Sequence, residues 1–193
     1  MSADYLGTME LQGDEGFTLT YRRTYPQDES VLWRALTDPE YTRKWWAESR
    51  GELQPGDAWD LRWLNTPPGE PPLDWWVGTV LEVVPGRVFE IDNSVHGVLR
   101  WELRSGEIGL AGPSGPGESS TELTLKVAHG PAGGPSESLE ARLNTAAGWH
   151  IHLDHLDAVL RGGTVDWDRW YKLHYPAWQQ IRAEYAAQEA VSG

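Results

Sequence analysis

The sequence predicts an α+β protein in which helices cover one face of an antiparallel sheet. Segments that alternate apolar and polar side chains recur between residues 17 and 130. Two short segments with helical spacing follow the first of them, and a long helical segment follows the last. A period of two residues is typical of half-buried strands, whereas a period near 3.6 is typical of helices. The order of these segments favours one sheet packed against a long C-terminal helix.

The first strand is predicted at residues 17–25 (FTLTYRRTY), where Phe, Leu and Tyr alternate with Thr and Arg. The chain then changes to helical spacing, with Asp28 as the candidate N-cap. Pro39 lacks the backbone donor that a continuing helix needs, so it ends one short helix and begins a second. Two short helices directly after the first strand are therefore expected.

Five later segments repeat the alternation and are predicted to be strands of the same sheet. They are residues 58–64 (AWDLRWL), 75–84 (WWVGTVLEVV), 87–93 (RVFEIDN), 98–104 (VLRWELR) and 121–130 (TELTLKVAHG). Charged residues and Thr occupy the second face of most of them, so Arg100 and Glu102 are predicted to lie on a solvated outer face. At residues 75–84 the alternation places Trp75 on the covered face and Trp76 on the outer face. The residues predicted to share the face of Trp75 are Val77, Leu81 and Val83.

A long helix is predicted from residue 138 until Gly162 and Gly163 stop it. Its apolar stripe consists of Trp149, Leu153, Leu156 and Leu160. The tail at residues 164–190 is helical again, with Asp166 as its cap, and Pro176 should kink or divide it. These helices are predicted to cover the sheet.

Length and charge limit the classes of function. A chain of 193 residues with 39% hydrophobic content is long enough for one substantial core, so residues 1–193 are predicted to form one domain. The net charge is −13 and the basic residues are scattered, which argues against nucleic-acid and anionic-membrane partners. Cysteine is absent, which excludes disulfides, thiolate catalysis and Cys-based metal sites. With no leader-like or membrane-length apolar run, a soluble cytoplasmic protein is expected.

Three motifs resemble the activator of heat-shock protein 90 ATPase homologue-like family, in the START/Bet v 1-like (SRPBCC) superfamily. They are VLWRALTDPEYTRKWW at 31–46, GTVLEVVPGR at 78–87 and AGWHIHLDHL at 147–156. The resemblance covers residues 17–161 and implies the helix-grip fold, a curved antiparallel sheet wrapped around a long C-terminal helix. The chain departs from short family members in a Pro-rich loop at 65–73, a Gly-rich insertion at 106–119 and the tail.

The resemblance also implies an internal cavity, which the inward-facing side chains are predicted to line. These are Trp45, Trp46, Trp59, Trp63, Trp75, Phe89, Trp101, Leu123, Trp149, His152, Leu153 and Leu156. The alternative is a solid core, although the many wide indoles among the 12 tryptophans pack awkwardly into one. The paired Trp45 and Trp46 close the second short helix and are predicted to place it at the cavity entrance.

Three histidines on the long helix are the nearest approach to a metal site. His152 and His155 lie three residues apart on one face of the helix, whereas His150 points in another direction. A single metal ion could therefore be bound by only two of these histidines. Further ligands are not evident in the sequence, and neither a metal nor an organic cofactor is predicted. His152 lies on the stripe that faces the cavity, where it either orients a ligand, acts as an acid–base group, or simply satisfies a buried partner.

The leading hypothesis is binding of a small hydrophobic ligand (aromatic, polycyclic or lipid-like) between the sheet and the C-terminal helix. A second hypothesis is a chaperone-associated interaction protein, because eukaryotic relatives in the family bind a chaperone. A third is a cofactor-free cyclase or hydrolase with His152 as its catalytic residue, although the standard catalytic motifs are missing. The tail is predicted either to close the cavity or to form a homodimer surface.

Overall fold

A computed structural model describes residues 5–12, 16–108, 118–130 and 138–192. Most of the insertion predicted at 106–119, and the Gly-rich loop at 131–137, lie outside the described residues. Within the described ranges there are eight strands. They are β1 (Thr8–Leu11), β2 (Phe17–Tyr25), β3 (Ala47–Gly51), β4 (Trp59–Trp63), β5 (Gly78–Val84), β6 (Val88–Asn93), β7 (Gly97–Ile108) and β8 (Glu118–His129).

The strands form a curved antiparallel sheet of six, in the order β1-β2-β8-β7-β6-β5. The remaining two, β3 and β4, form a hairpin that two isolated bridges join to the β5 side of the sheet. All six predicted strands are present, but β4, which was predicted to lie in the same sheet as the others, pairs with β3 in the separate hairpin. The strands β1 and β3 were not predicted, because TMEL alternates over only four residues and AESRG has a single apolar side chain. They are held by pairing with β2 and β4 respectively.

The helices follow the predicted order. They are α1 (Glu29–Thr37), α2 (Pro39–Trp45), α3 (Leu139–Leu160), α4 (Trp170–Leu173) and α5 (Tyr175–Ser192), with a 3-10 turn at Trp167–Arg169 before α4. Asp28 occupies the N-cap position of α1, and the carboxylate of Asp38 caps α2 by accepting from the Glu40 amide. Asp166 caps the 3-10 turn, and the tail divides at His174, so that Pro176 is the second residue of α5. The long helix, the two short helices and the sheet make up the predicted α+β fold.

The long helix α3 is buried on two sides rather than on one stripe. Its apolar stripe packs on the inner face of the sheet, where the Tyr21 hydroxyl also donates to the Ala146 carbonyl. The tail packs on the opposite side, through the buried Trp170, Ile181 and Tyr185. The prediction of a single stripe was incomplete, because periodicity within α3 gives no information about the helix that covers its other side.

The predicted facing of β5 was wrong. Val80 is buried, whereas Val77 and Leu81 are 66% and 44% exposed. A register shift between Val80 and Glu82 marks a bulge, after which Val83 packs against the core. A bulge inserts one residue into the alternation, so a uniform period of two assigns the residues before it to the wrong face.

The outer face of the sheet carries an ion-pair cluster around Arg100. Its guanidinium contacts Glu82 and Glu90 through Nη1, at 2.7 and 3.0 Å, and Glu102 through Nε, at 2.7 Å. The prediction that Arg100 and Glu102 lie on this face is confirmed, although both are partly buried by the cluster. Elsewhere in the described ranges, no helix combines the length and apolar character needed to cross a bilayer.

Candidate functional site

A cleft of about 450 Å³ opens at one end of the core, between α3, the Pro-rich loop and the β6–β7 turn. Its ring-bearing wall consists of Trp63, His96, His129, Trp149, His152 and Tyr171. The helix α3 also contributes Asn144, Thr145 and Gly148, spaced along one face. Pockets of several hundred Å³ are the usual size for small-molecule sites. The cleft therefore has the volume and the aromatic lining of a ligand site.

Only part of the predicted cavity set lines this cleft: Trp63, Trp149 and His152. Eight others lie in the packed core at 2% exposure or less, namely Trp45, Trp46, Trp59, Phe89, Trp101, Leu123, Leu153 and Leu156. The ring of Trp46 lies 5.7 Å from that of Trp101 and 5.2 Å from that of Trp149. The indoles therefore fill the space between sheet and helix that was predicted to be hollow, and leave the cleft at one end.

The predicted orientations of the second tryptophan pair were reversed. Trp76 forms a bridge opposite Leu61, and directly opposite residues of an antiparallel pair present their side chains on the same face. Leu61 is buried, so Trp76 also points inward, and its ring lies 6.1 Å from that of Trp63. Trp75 instead lies beneath Arg50 and Arg62, whose guanidinium carbons are 4.2 and 4.9 Å from its ring centre.

The first tryptophan pair does not form the entrance that was predicted for it. Trp45 and Trp46 are both fully buried, and the indole of Trp45 donates to the Ala35 carbonyl at 2.9 Å. The end of α2 therefore anchors the short helices to the core. The indole N–H groups of Trp46, Trp59 and Trp101 have no acceptor among the described residues.

His152 is held in one orientation at the inner wall of the cleft. Its Nδ1 lies 3.2 Å from the Trp45 carbonyl oxygen, and its ring stacks on Trp63 with centroids 4.4 Å apart. Burial lowers the pKa of His152 to about 3, so the imidazole is neutral at pH 7. Because a carbonyl oxygen only accepts, Nδ1 carries the proton and Nε2 is an acceptor.

The other two helix histidines have structural partners on the tail. Nδ1 of His150 lies 3.0 Å from the Tyr185 hydroxyl, and Nε2 of His155 accepts from the Trp170 indole at 3.0 Å. Burial lowers the pKa of His150 to about 4 and that of His155 further still. The described residues contain no group of three His, Asp or Glu arranged to hold a metal.

Sequence reasoning missed His96, His129 and Tyr171 as cleft residues. A signal was present for His129, because it continues the inward alternation of Leu123, Leu125 and Val127 in β8. His96 lies in the turn between β6 and β7, and its ring lies 4.9 Å from that of Trp63. Burial lowers the pKa of His96 to about 3. Tyr171 enters from the tail, and no local pattern indicates where a tail will fold back.

The cleft carries little charge. Its lining among the described residues includes Glu70 but neither Lys nor Arg. The imidazoles of His96 and His152 are neutral because burial has lowered their pKa values. The chain as a whole carries a net charge of −13. The arrangement can thus stack aromatic rings and accept a hydrogen bond, but it offers no cation to an anionic group.

Known proteins resemble the chain in sequence and in fold. The crystal structure of CalU16 from Micromonospora echinospora is 21% identical, with a TM-score of 0.59 and coverage of 94% of each chain. A Bordetella parapertussis protein is 22% identical, with a TM-score of 0.60 over 92% of this chain and 87% of that one. DynU16, described as a protein in the dynemicin biosynthetic locus, is 20% identical, with a TM-score of 0.53 over 76% of this chain and 48% of its own.

At these identities the solved structures show the fold, and among curated proteins none matches the chain. The family follows from the sequence model described as Activator of Hsp90 ATPase homolog 1-like protein, which matches residues 28–161. This match includes all three motifs at which the resemblance was found. Since it spans more than half of the 193 residues, the chain belongs to the Activator of Hsp90 ATPase homolog 1-like family of the SRPBCC superfamily.

Proposed function

We propose that the protein binds a small aromatic or polycyclic molecule in the cleft beside α3. The observation that carries the proposal is a cleft of about 450 Å³ that the packed indoles leave open, with Trp63, Trp149 and His152 in its wall. Indole rings offer wide apolar faces, and aromatic pairs gain free energy beyond the area that they bury. The family and a neighbour from a biosynthetic locus are in keeping with a small-molecule ligand.

The protonation state of His152 supports a role in ligand binding and not in catalysis. A general base works best when its pKa lies near the operating pH. Burial holds the pKa of His152 near 3, so its imidazole is a weak base and its protonated form is scarce at neutral pH. Its Nδ1 is also engaged with the Trp45 carbonyl. We therefore assign His152 to ligand orientation, and not to the acid–base chemistry of a cyclase or hydrolase.

The position of the tail supports a closing role in this site. Trp170, Ile181 and Tyr185 are buried against the rest of the protein, and Tyr171 contributes to the cleft wall. These three buried side chains are therefore not available to a second copy, although Leu173, Tyr175 and Val191 of the tail remain exposed. Of the two roles predicted from the sequence, cavity closure accounts for more of these contacts than a homodimer surface does.

Gly148 allows a direct test, because it lies in the cleft wall and a Cβ built there meets no heavy atom within 4 Å. Gly148→Leu should fill the cleft without a clash at the backbone, whereas Gly148→Ala should leave most of it open. We expect the neutral dye N-phenyl-1-naphthylamine to bind the wild type, with enhanced dye fluorescence and quenched tryptophan emission. The Leu variant should bind at least about tenfold more weakly, since one buried side chain displaces about 1.5 kcal/mol or more of apolar contact.

The Ala variant is the matched control and should bind within about threefold of the wild type, since it adds a single methyl group. Far-UV circular dichroism and thermal melting would establish that both variants remain folded. Absence of dye binding to the wild type, or equal binding by a folded Leu variant, would contradict the proposal.

A further inference from the structure

We infer that the cleft selects a neutral aromatic ligand whose hydroxyl group donates a hydrogen bond to Nε2 of His152, and that it disfavours anionic analogues. The inference rests on the proposed function, because it names the class of ligand for the same cleft. Three features carry it: a fixed acceptor, an open helix face beside that acceptor, and a lining without a cation.

The acceptor is Nε2 of His152. The Nδ1–H group donates a hydrogen bond to the Trp45 carbonyl oxygen, 3.2 Å from Nδ1, which leaves a lone pair on Nε2. No described residue makes a hydrogen bond to Nε2. Nε2 is also not one of the described side-chain atoms that are both fully buried and without a hydrogen-bond partner. Stacking on Trp63 at an interplanar angle of 20° holds the ring, so the lone pair has one direction. A ligand that reaches this atom must therefore supply the donor.

The open helix face lies at Gly148, one turn of α3 before His152. Residues four apart on a helix lie about 6 Å from one another on the same face. Because Gly148 has no side chain and open space above it, a flat ring can lie against the backbone of α3 there. A hydroxyl on the edge of that ring then falls within reach of His152. The side chains of Trp63 and Trp149 lie beside the same space.

The lining disfavours an anion. Burying a carboxylate is costly unless a cation or several donors compensate for the lost water. The described lining residues include no Lys or Arg, and Glu70 adds a negative charge. Burial lowers the pKa of both His96 and His152 to about 3, so neither ring is a cation at neutral pH. A carboxylated ring should bind more weakly than its hydroxylated counterpart.

The first test leaves the protein unchanged and compares 2-naphthol, naphthalene and 2-naphthoate at pH 7 by tryptophan quenching. We expect 2-naphthol to bind about three- to tenfold more tightly than naphthalene, the usual net effect of one neutral hydrogen bond. We expect 2-naphthoate to bind at least about tenfold more weakly than 2-naphthol, because the described lining gives its charge no cationic partner. Equal affinity for naphthol and naphthalene, or tightest binding of naphthoate, would overturn the inference while the proposed function stood. If none of the three binds, the proposed function itself fails.

The second test assigns the preference to His152. His152→Phe keeps a ring for stacking on Trp63 and removes the acceptor, so affinity for naphthalene should stay the same while the preference for naphthol disappears. His155→Phe is the matched control, since His155 lies on the same helix, is also buried, and contacts Trp170 instead of the cleft. The control should keep the preference. A preference for naphthol that survives in folded His152→Phe would refute the role of His152 as the hydrogen-bond acceptor. If this variant does not fold, the comparison of the three ligands on the wild type decides whether the inference stands.

Discussion

Mild acid should destabilise this protein strongly, because the imidazoles of four histidines, His96, His150, His152 and His155, are neutral in the folded state. Burial lowers the pKa of His96 and His152 to about 3, that of His150 to about 4 and that of His155 further still. In the unfolded chain a histidine has a pKa of about 6.5, so the unfolded state binds protons first as the pH falls. The stabilising contribution is complete above pH 6.5 and is lost progressively towards the folded-state pKa values.

The loss of unfolding free energy follows from the difference between about 6.5, the pKa of histidine in the unfolded chain, and the pH of the measurement. One pH unit corresponds to about 1.4 kcal/mol for each imidazole, so each costs about 2 kcal/mol at pH 5 and the four together about 8 kcal/mol. A whole domain has an unfolding free energy of only about 5–15 kcal/mol. Most carboxylates of the unfolded chain stay ionised in this window, since their pKa values lie near 4. Protonation of histidine should therefore dominate the change in unfolding free energy with pH.

The assay is urea unfolding at pH 7, 6 and 5, followed by tryptophan fluorescence and circular dichroism. His152→Gln offers a comparison, because its amide can still donate to the Trp45 carbonyl but does not titrate. Its unfolding free energy should depend on pH less steeply than that of the wild type, by about 1.4 kcal/mol per unit between pH 6 and pH 5. An unfolding free energy that is the same at pH 7 and pH 5 would show that the folded protein can protonate these rings, and would refute the reasoning.

Three substitutions test other parts of the structure. Asp154→Ala removes the carboxylate that pairs with buried Arg23 at 3.1 Å and should lower the unfolding free energy in urea by about 3 kcal/mol. Its control is Asp157→Ala on the same helix, which breaks an exposed ion pair and should lower the unfolding free energy by less than about 1 kcal/mol. Equal losses in the two variants would contradict the stabilising role of the Arg23–Asp154 pair. Tyr185→Phe removes a hydroxyl that links the N-terminal segment to α3 and should cost about 1–2 kcal/mol, so an unchanged Tm would count against these hydrogen bonds. Gly148→Ala replaces a mid-helix glycine without a clash and should raise the unfolding free energy by about 1 kcal/mol; a lower Tm would show that the added methyl group is not accommodated.

The chain's local patterns were sufficient for the order of its elements. The alternation in residues 17–25 and 121–130 identified two central strands, because a strand with one buried face repeats every two residues. Pro39 marked the boundary between the short helices, because the steric effect and the missing donor of proline act within a few residues. The inward facing of Trp59 and Trp101 was likewise predictable from the residues around them.

Only the tertiary structure decided where the open space lies. Whether inward-facing indoles surround a hollow or fill it depends on the distance between sheet and helix, and no single segment contains that distance. Here Trp46 meets Trp101 and Trp149 and the centre is packed. The cleft forms where the Pro-rich loop, the β6–β7 turn and the tail meet α3, and these segments are far apart in sequence. The sequence by itself therefore determined the fold and the chemistry of its inner face, whereas long-range packing set the position and shape of the site.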